Sequence, residues 1–381
     1  MTSSSPDTSS VLEGLQRLSI SCQELDDRSS APLGHFQDIP RDIQQSYECI
    51  LQGANLVHAT STKFTLVGKM SQEGDEANKI AQDLLRGCQL IATGALVVGN
   101  NAYGCSRSTR QYTKRAARSV VASVIQLVEM LLHHPDAKVL EKDNTLAAQK
   151  CGAVWQTCDQ WIQKKVPQGN RNAMRRDLFT WMMECNETMQ EFQQMIDRGA
   201  AASTTAEENN NDNDNPQTEK HDDKETTFEE FLCQMAAGNQ EEQYTAKELE
   251  MAKPAVALIK CSRGSINVVL KACESAAKQL TVPAKSKTVL EFLQKAHDLA
   301  RVVGEGMTDL GTLLYPTISL EDIERQGAKQ TQSMAAVLDY VLDSAAAMEL
   351  DEETLELANK IRPNLDKRHG ELQTAIKEAR K

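Results

Sequence analysis

From Ala202 to Thr227 the chain has no Val, Leu, Ile or Met and is crowded with Asn, Asp, Glu and Thr. Such a stretch cannot bury enough apolar surface to offset the entropy lost on ordering it. It predicts an acidic disordered linker over residues 199–227, so the parts before and after it must each build a core of their own. The 381 residues leave enough length for both. Between Gly199 and Ala252 stand 14 acidic and 3 basic residues, a balance of −11; the rest of the chain, at −12 overall, is left at −1. The acidity thus belongs to the linker and its flank, where it opposes non-specific binding to nucleic acid.

Outside the linker the apolar residues recur at helical spacing. Leu178, Met182, Cys185, Met189, Phe192 and Ile196 step by 4, 3, 4, 3 and 4, the seam of an antiparallel bundle. Aromatics are only 4% of the chain, while Ala, Leu, Gln, Glu and Lys, all good helix formers, are plentiful. Helices are predicted over Val11–Arg28, Asp42–Ser71, Asp75–Val98, from a cap at Ser106 or Ser108 to near His134, Thr145–Ile162 and Asn172–Ile196. After the linker they fall at Thr245–Leu280, from a cap at Ser286 to Tyr315-Pro316, Ser319–Met348 and Glu352–Ala379. No strand-like alternation of useful length appears. The expected fold is all-α. Residues 1–10 form a disordered tail, 11–198 a bundle of about five long antiparallel helices, and 228–381 a second of about four.

The start, MTSSSPDTSS, lacks the basic and apolar regions of a secretory signal. The most apolar run, Leu90–Val98, is far shorter than the roughly 20 residues of a membrane span. It reads as a buried helix segment in which Gly94 and Gly99 admit a close neighbour.

No phosphate loop, dinucleotide fingerprint, zinc-protease pair or nucleophile elbow occurs. The expectation is therefore no enzyme, no catalytic residue, no cofactor and no metal. Ten cysteines without a Cys-x-x-Cys pair read as buried reduced thiols. His133-His134 reads as an exposed helix end, with a metal role as the alternative. Trp155 and Trp181 read as core, and Trp161, near Lys164 and Lys165, as partly exposed.

Two surfaces are candidates for a protein partner. Arg107, Arg110, Lys114 and Arg118 step by 3, 4 and 4 and so share one helix stripe. It reads either as a solvated flank or as an anion-facing surface that the acidic linker partly screens; nucleic acid is a third and weaker option. Phe228, Phe231, Leu232 and Met235 form an apolar patch suited to docking in a groove, or to packing on the chain's own bundle.

One further set of residues carries a family likeness. It consists of Val154-Trp155-x-x-Cys158, Pro167, Asn172-Ala173, the helix to Phe192, the insert opening Glu207-Glu208-Asn209-Asn210, Pro254-x-x-Ala257-Leu258-Ile259 and Leu314-Tyr315-Pro316. In order and spacing these resemble the cyclin-D-binding protein family, also called Grap-and-cyclin-D-interacting proteins. The Ser-rich start and the charged final helix do not match its pattern. The resemblance implies an all-helical, non-enzymatic regulator of cytoplasm and nucleus that binds D-type cyclins or helix-loop-helix proteins. It further implies restraint of cell-cycle progression and transcription, with occupancy of a partner's helix surface as the leading mechanism. The rival classes are a vinculin-, α-catenin- or talin-like cytoskeletal scaffold and a helix-loop-helix dimeriser.

Overall fold

The computed structural model describes residues 8–25, 31–68, 75–133, 144–208 and 244–381. Among them are ten α-helices and no strand. These are α1 (Thr8–Gln23), α2 (Arg41–Gly68), α3 (Asp75–Gly99), α4 (Arg107–His133), α5 (Asn144–Ile162), α6 (Gly169–Glu208), α7 (Ala246–Ala277), α8 (Pro283–Thr312), α9 (Leu320–Ser344) and α10 (Glu352–Ala379). None of the described helices is long and apolar enough to cross a membrane.

The chain separates into two compact units. The first comprises residues 1–177 and 280–294, the second 178–279 and 295–381. The division falls inside α6 and α8 rather than at the acidic stretch. α6 is 40 residues long and runs past Ile196 to Glu208. Its extension is rich in Ala, which favours helix without needing a core to pack on. Residues 209–243 lie outside the described part, and with them the docking patch Phe228, Phe231, Leu232 and Met235.

In the first unit α2 and α3 form the closest pair. A Cβ on Gly53 would lie 2.6 Å from the Gly87 carbonyl oxygen, and one on Gly94 2.6 Å from that of Ser46. Both pairs of numbers add to one constant, so the helices run antiparallel with backbone against backbone. Ile43, Tyr47, Ile50, Ala54 and Val57 of α2 meet Leu84, Cys88, Ile91, Ala95 and Val98 of α3 in one core with α1, α4 and α5.

The second unit alternates up and down. α8 and α9 are antiparallel: Gln330, 1% exposed, donates to the Val303 carbonyl at 2.8 Å and to Ser262 Oγ at 2.9 Å. α9 pairs antiparallel with α10, and α10 with α7 through Lys271–Glu353 at 2.6 Å. α6 and α8 run parallel, since Trp181 lies on Gly304, Thr188 on Gly311 and Phe192 against Tyr315 at one fixed offset. The Tyr315-Pro316 stop is tied down at the start of α7. There Tyr244 donates to the Leu314 carbonyl, and Glu248 closes a capping box with Thr245 while accepting from the Ile318 N–H at 2.9 Å.

Two tryptophan assignments reverse. Trp161 is 2% exposed and Trp155 37%. The buried face of α5 is Ala147, Cys151, Val154, Cys158 and Trp161, with steps of 4, 3, 4 and 3, so Trp161 continues the seam and Trp155 falls just off it. Trp155 instead stacks on His58, ring centroids 5.6 Å apart, while His58 faces Asp159 at 3.9 Å. Trp181 is half-buried against Gly304 and His297.

Candidate functional site: a cationic end of the first unit

Asn170, fully buried at the start of α6, organises one end of the first unit. Its side-chain oxygen accepts from the Ser106 N–H at 2.6 Å and the Thr109 hydroxyl at 2.9 Å. Its amide donates to the carbonyls of His35 at 2.7 Å and Gly104 at 3.0 Å. Three connections far apart in sequence are thereby fastened to one side chain. Gly104 has φ 62° and touches Gly34, where any side chain would collide with backbone 2.4 Å away; the Gly34 N–H donates to the Gly104 carbonyl at 3.0 Å. Gly169, at φ 76°, donates to the buried hydroxyl of Tyr47 at 3.2 Å. Ser106 caps α4, its Oγ accepting from the Thr109 N–H at 3.1 Å.

This fastening decides what becomes of the predicted basic stripe. Arg107 is half-buried and Arg118 exposed. Lys114, also half-buried, donates to the Leu25 carbonyl at 2.8 Å. Arg110 is 2% exposed, its guanidinium donating to Asn101. The stripe is therefore not one solvated surface. Arg110, Thr113, Ala117, Val120, Val124 and Leu127 step by 3, 4, 3, 4 and 3, so Arg110 extends the buried seam of α4 and holds the 100–106 connection from inside.

A second basic segment, missed from the sequence, completes the end. Between Gln160 and Arg176 stand Lys164, Lys165, Arg171, Arg175 and Arg176 with no acidic residue, and between Leu84 and Val128 there is likewise none. The absence of Asp and Glu from both runs was the available signal. All five cations of the second run are exposed. The Arg176 guanidinium sits 5.2 Å above the Tyr112 ring of α4 and also donates to the Lys165 carbonyl, joining the two runs. Arg115 lies one turn beyond Tyr112 and is exposed.

Among the described residues, none of Arg107, Arg115, Arg118, Lys164, Lys165, Arg171 or Arg176 has an acidic partner. The second unit contrasts with this. Arg301 pairs with Glu305 at 2.9 Å, Arg362 with Asp339 at 2.9 Å and Asp366 at 2.7 Å, and Arg380 with Glu324 at 2.7 Å. That unit also carries an open groove of about 640 Å³ between α7 and α10, floored by Pro254, Ala257 and Ala375. Four of its rim charges are paired, Lys253 with Glu250 and Arg368 with Glu371, each at 2.7 Å.

The described cysteines are free thiols, seven of the nine buried. Burial, helped by the charge of Asp159, pushes Cys158 up to about 12; burial, helped by Glu184, does the same for Cys185. Such thiols stay protonated and are poor nucleophiles at neutral pH. Among the described residues no three His, Cys, Asp or Glu side chains gather as metal ligands. His134, half of the pair considered for a metal, lies outside the described residues.

These features define an all-α protein with a cationic face assembled from two distant segments. The family described as Grap2 and cyclin-D-interacting, N-terminal, matches residues 49–198, a span that contains both basic segments. The Xenopus laevis protein named Cyclin-D1-binding protein 1 homolog is 21% identical over 317 residues, covering 83% of this chain and 84% of that protein. Both matches carry a cyclin-D description in their names.

Proposed function

We propose that this chain is a non-enzymatic regulator that binds a D-type cyclin, or a helix-loop-helix protein, and restrains cell-cycle progression and transcription by occupying the partner's helix surface. It works in cytoplasm and nucleus, by contact of helical surfaces. The observation that carries the reading is the family match over residues 49–198, seconded by a relative named for binding cyclin D1.

The test is capture of partners by the full chain from dividing cells, scored for D-type cyclin against cytoskeletal proteins. Enrichment of D-type cyclin is expected. Retention of actin or its partners without cyclin would replace this reading with the scaffold.

A further inference from the structure

The cationic end of the first unit has a chemistry that goes beyond general docking. Two acid-free runs, one on α4 and one spanning the α5–α6 connection and the start of α6, are brought together by the Asn170 clasp and the Arg176–Tyr112 contact. Arg115, Arg118, Lys164, Lys165, Arg171 and Arg176 have no acidic partner among the described residues, whereas Arg301, Arg362 and Arg380 of the second unit are each paired with a carboxylate. Exposed like charges held together repel one another, and the fold keeps them together by buried hydrogen bonds. Charge complementarity then selects an anionic occupant.

We infer that this face, centred on Arg115, Lys165 and Arg176, is the docking surface for an acid-rich segment of a protein partner; the inference rests on the partner-binding function proposed above. A polypeptide fits better than nucleic acid, because the function proposed above is binding to a protein. The aromatic ring beside the patch, Tyr112, carries the Arg176 guanidinium over one face, which closes that face to base stacking. Planar guanidinium groups at Arg115 and Arg176 suit carboxylates in paired contact, and the Lys165 ammonium adds an adjustable third contact.

The probe is a labelled oligo-glutamate peptide, with binding to the full chain followed by fluorescence anisotropy. Arg115→Glu with Lys165→Glu reverses two exposed charges of the face. Lys260→Glu with Lys360→Glu makes the same change in net charge on exposed positions of α7 and α10. Circular dichroism confirms that both variants fold. The first pair is expected to weaken the peptide about tenfold or more at low salt, the control pair less than about threefold, and the difference should shrink as salt rises to about 0.5 M. Removing residues 209–225, which lowers the chain's net negative charge, should tighten the peptide. Failure of the intact chain and of this deletion to bind the peptide, or equal weakening by both variant pairs, overturns the inference. Tighter binding of a single-stranded oligonucleotide of matched charge overturns it in favour of nucleic acid. Undiminished cyclin capture by the Arg115→Glu/Lys165→Glu chain would remove this face from partner binding while leaving the proposed function standing. Loss of cyclin capture by the unaltered chain, with peptide binding intact, would do the reverse.

Discussion

Replacing Asn170 by Ala removes four hydrogen bonds from a site without solvent access. The groups left behind do not suffer equally. The Gly104 carbonyl still accepts from Gly34 at 3.0 Å, and the Thr109 hydroxyl keeps Ser106 Oγ at 2.8 Å. The His35 carbonyl belongs to a half-buried residue that water can reach. Only the Ser106 N–H loses its acceptor outright. One orphaned buried donor costs about 1–3 kcal/mol, and each bond lost by a group that keeps another partner about 0.5 kcal/mol, for a total of about 2–4 kcal/mol. For a unit of this size that lowers Tm by roughly 4–16 °C. Asn170→Asp sharpens the argument, since it keeps the acceptor for Ser106 and Thr109 but sets an oxygen against two carbonyls. Its carboxyl is therefore held above the ordinary range, because the protonated form can donate where the ionised form is repelled. A raised folded value means stability present at acid pH and lost as pH rises through that value, so Asn170→Asp should melt closer to the unaltered chain at pH about 4.5 than at pH about 7.5. Thermal and urea unfolding followed by circular dichroism measure both variants. A loss below about 1 kcal/mol for Asn170→Ala, or pH-independent melting of Asn170→Asp relative to the unaltered chain, would refute the clasp.

Gly53→Ala should destabilise by about 1–3 kcal/mol despite the better helix propensity of Ala, because its Cβ meets the Gly87 carbonyl at 2.6 Å. Gly152→Ala, whose Cβ meets nothing within 4 Å, should gain about 0.5–1 kcal/mol in the same melting assay. Asp351 caps α10; the Thr354 hydroxyl acts most strongly on its carboxyl, burial opposes it, and the Thr354 N–H, Ser275 and Lys278 add to the hydroxyl, so the carboxyl is held below the usual 3.8. A depressed value stabilises above the unfolded pKa and is lost as pH falls through the folded one, so Asp351→Asn should lower Tm near neutrality and flatten its dependence on acid below pH about 3.8, as read by melting across a pH series. Trp155→Phe should abolish most of the iodide-quenchable tryptophan fluorescence, whereas Trp161→Phe should leave it nearly unchanged and lower Tm.

Helix content was legible because the seams are long. Leu178 to Ile196 predicted α6, and Ser106 was correctly offered as a cap for α4. The depth of individual side chains was harder to read, because chemical type competed with position. Arg110 was grouped with other cations and Trp161 with its neighbouring lysines, yet both continue the 3-and-4 stepping of buried residues on their own helices. Extending the seam through a charged or flanking residue would have placed each. Gly94 and Gly99 were rightly expected to admit neighbours, and they lie against Ile50 and Leu25. The cationic end was half visible, since spacing along α4 marks one stripe, whereas its union with residues 164–176 depends on where Asn170 folds back. Local periodicity carries no information about that closure.

Gln294 sets a condition on how this molecule can be cut. Its side chain accepts the Leu33 N–H at 3.0 Å and donates to the Ala31 carbonyl at 3.1 Å, and Val289, Phe292 and Leu293 just before it are buried. The first unit thus finishes with residues made more than a hundred positions after its main stretch ends at Asp177. A fragment stopped at 177 or 198 is an unfinished object, missing a stave of its own barrel. During synthesis, the contacts of Gln294 with the 31–33 segment can form only after the second unit's residues 178–279 have been made.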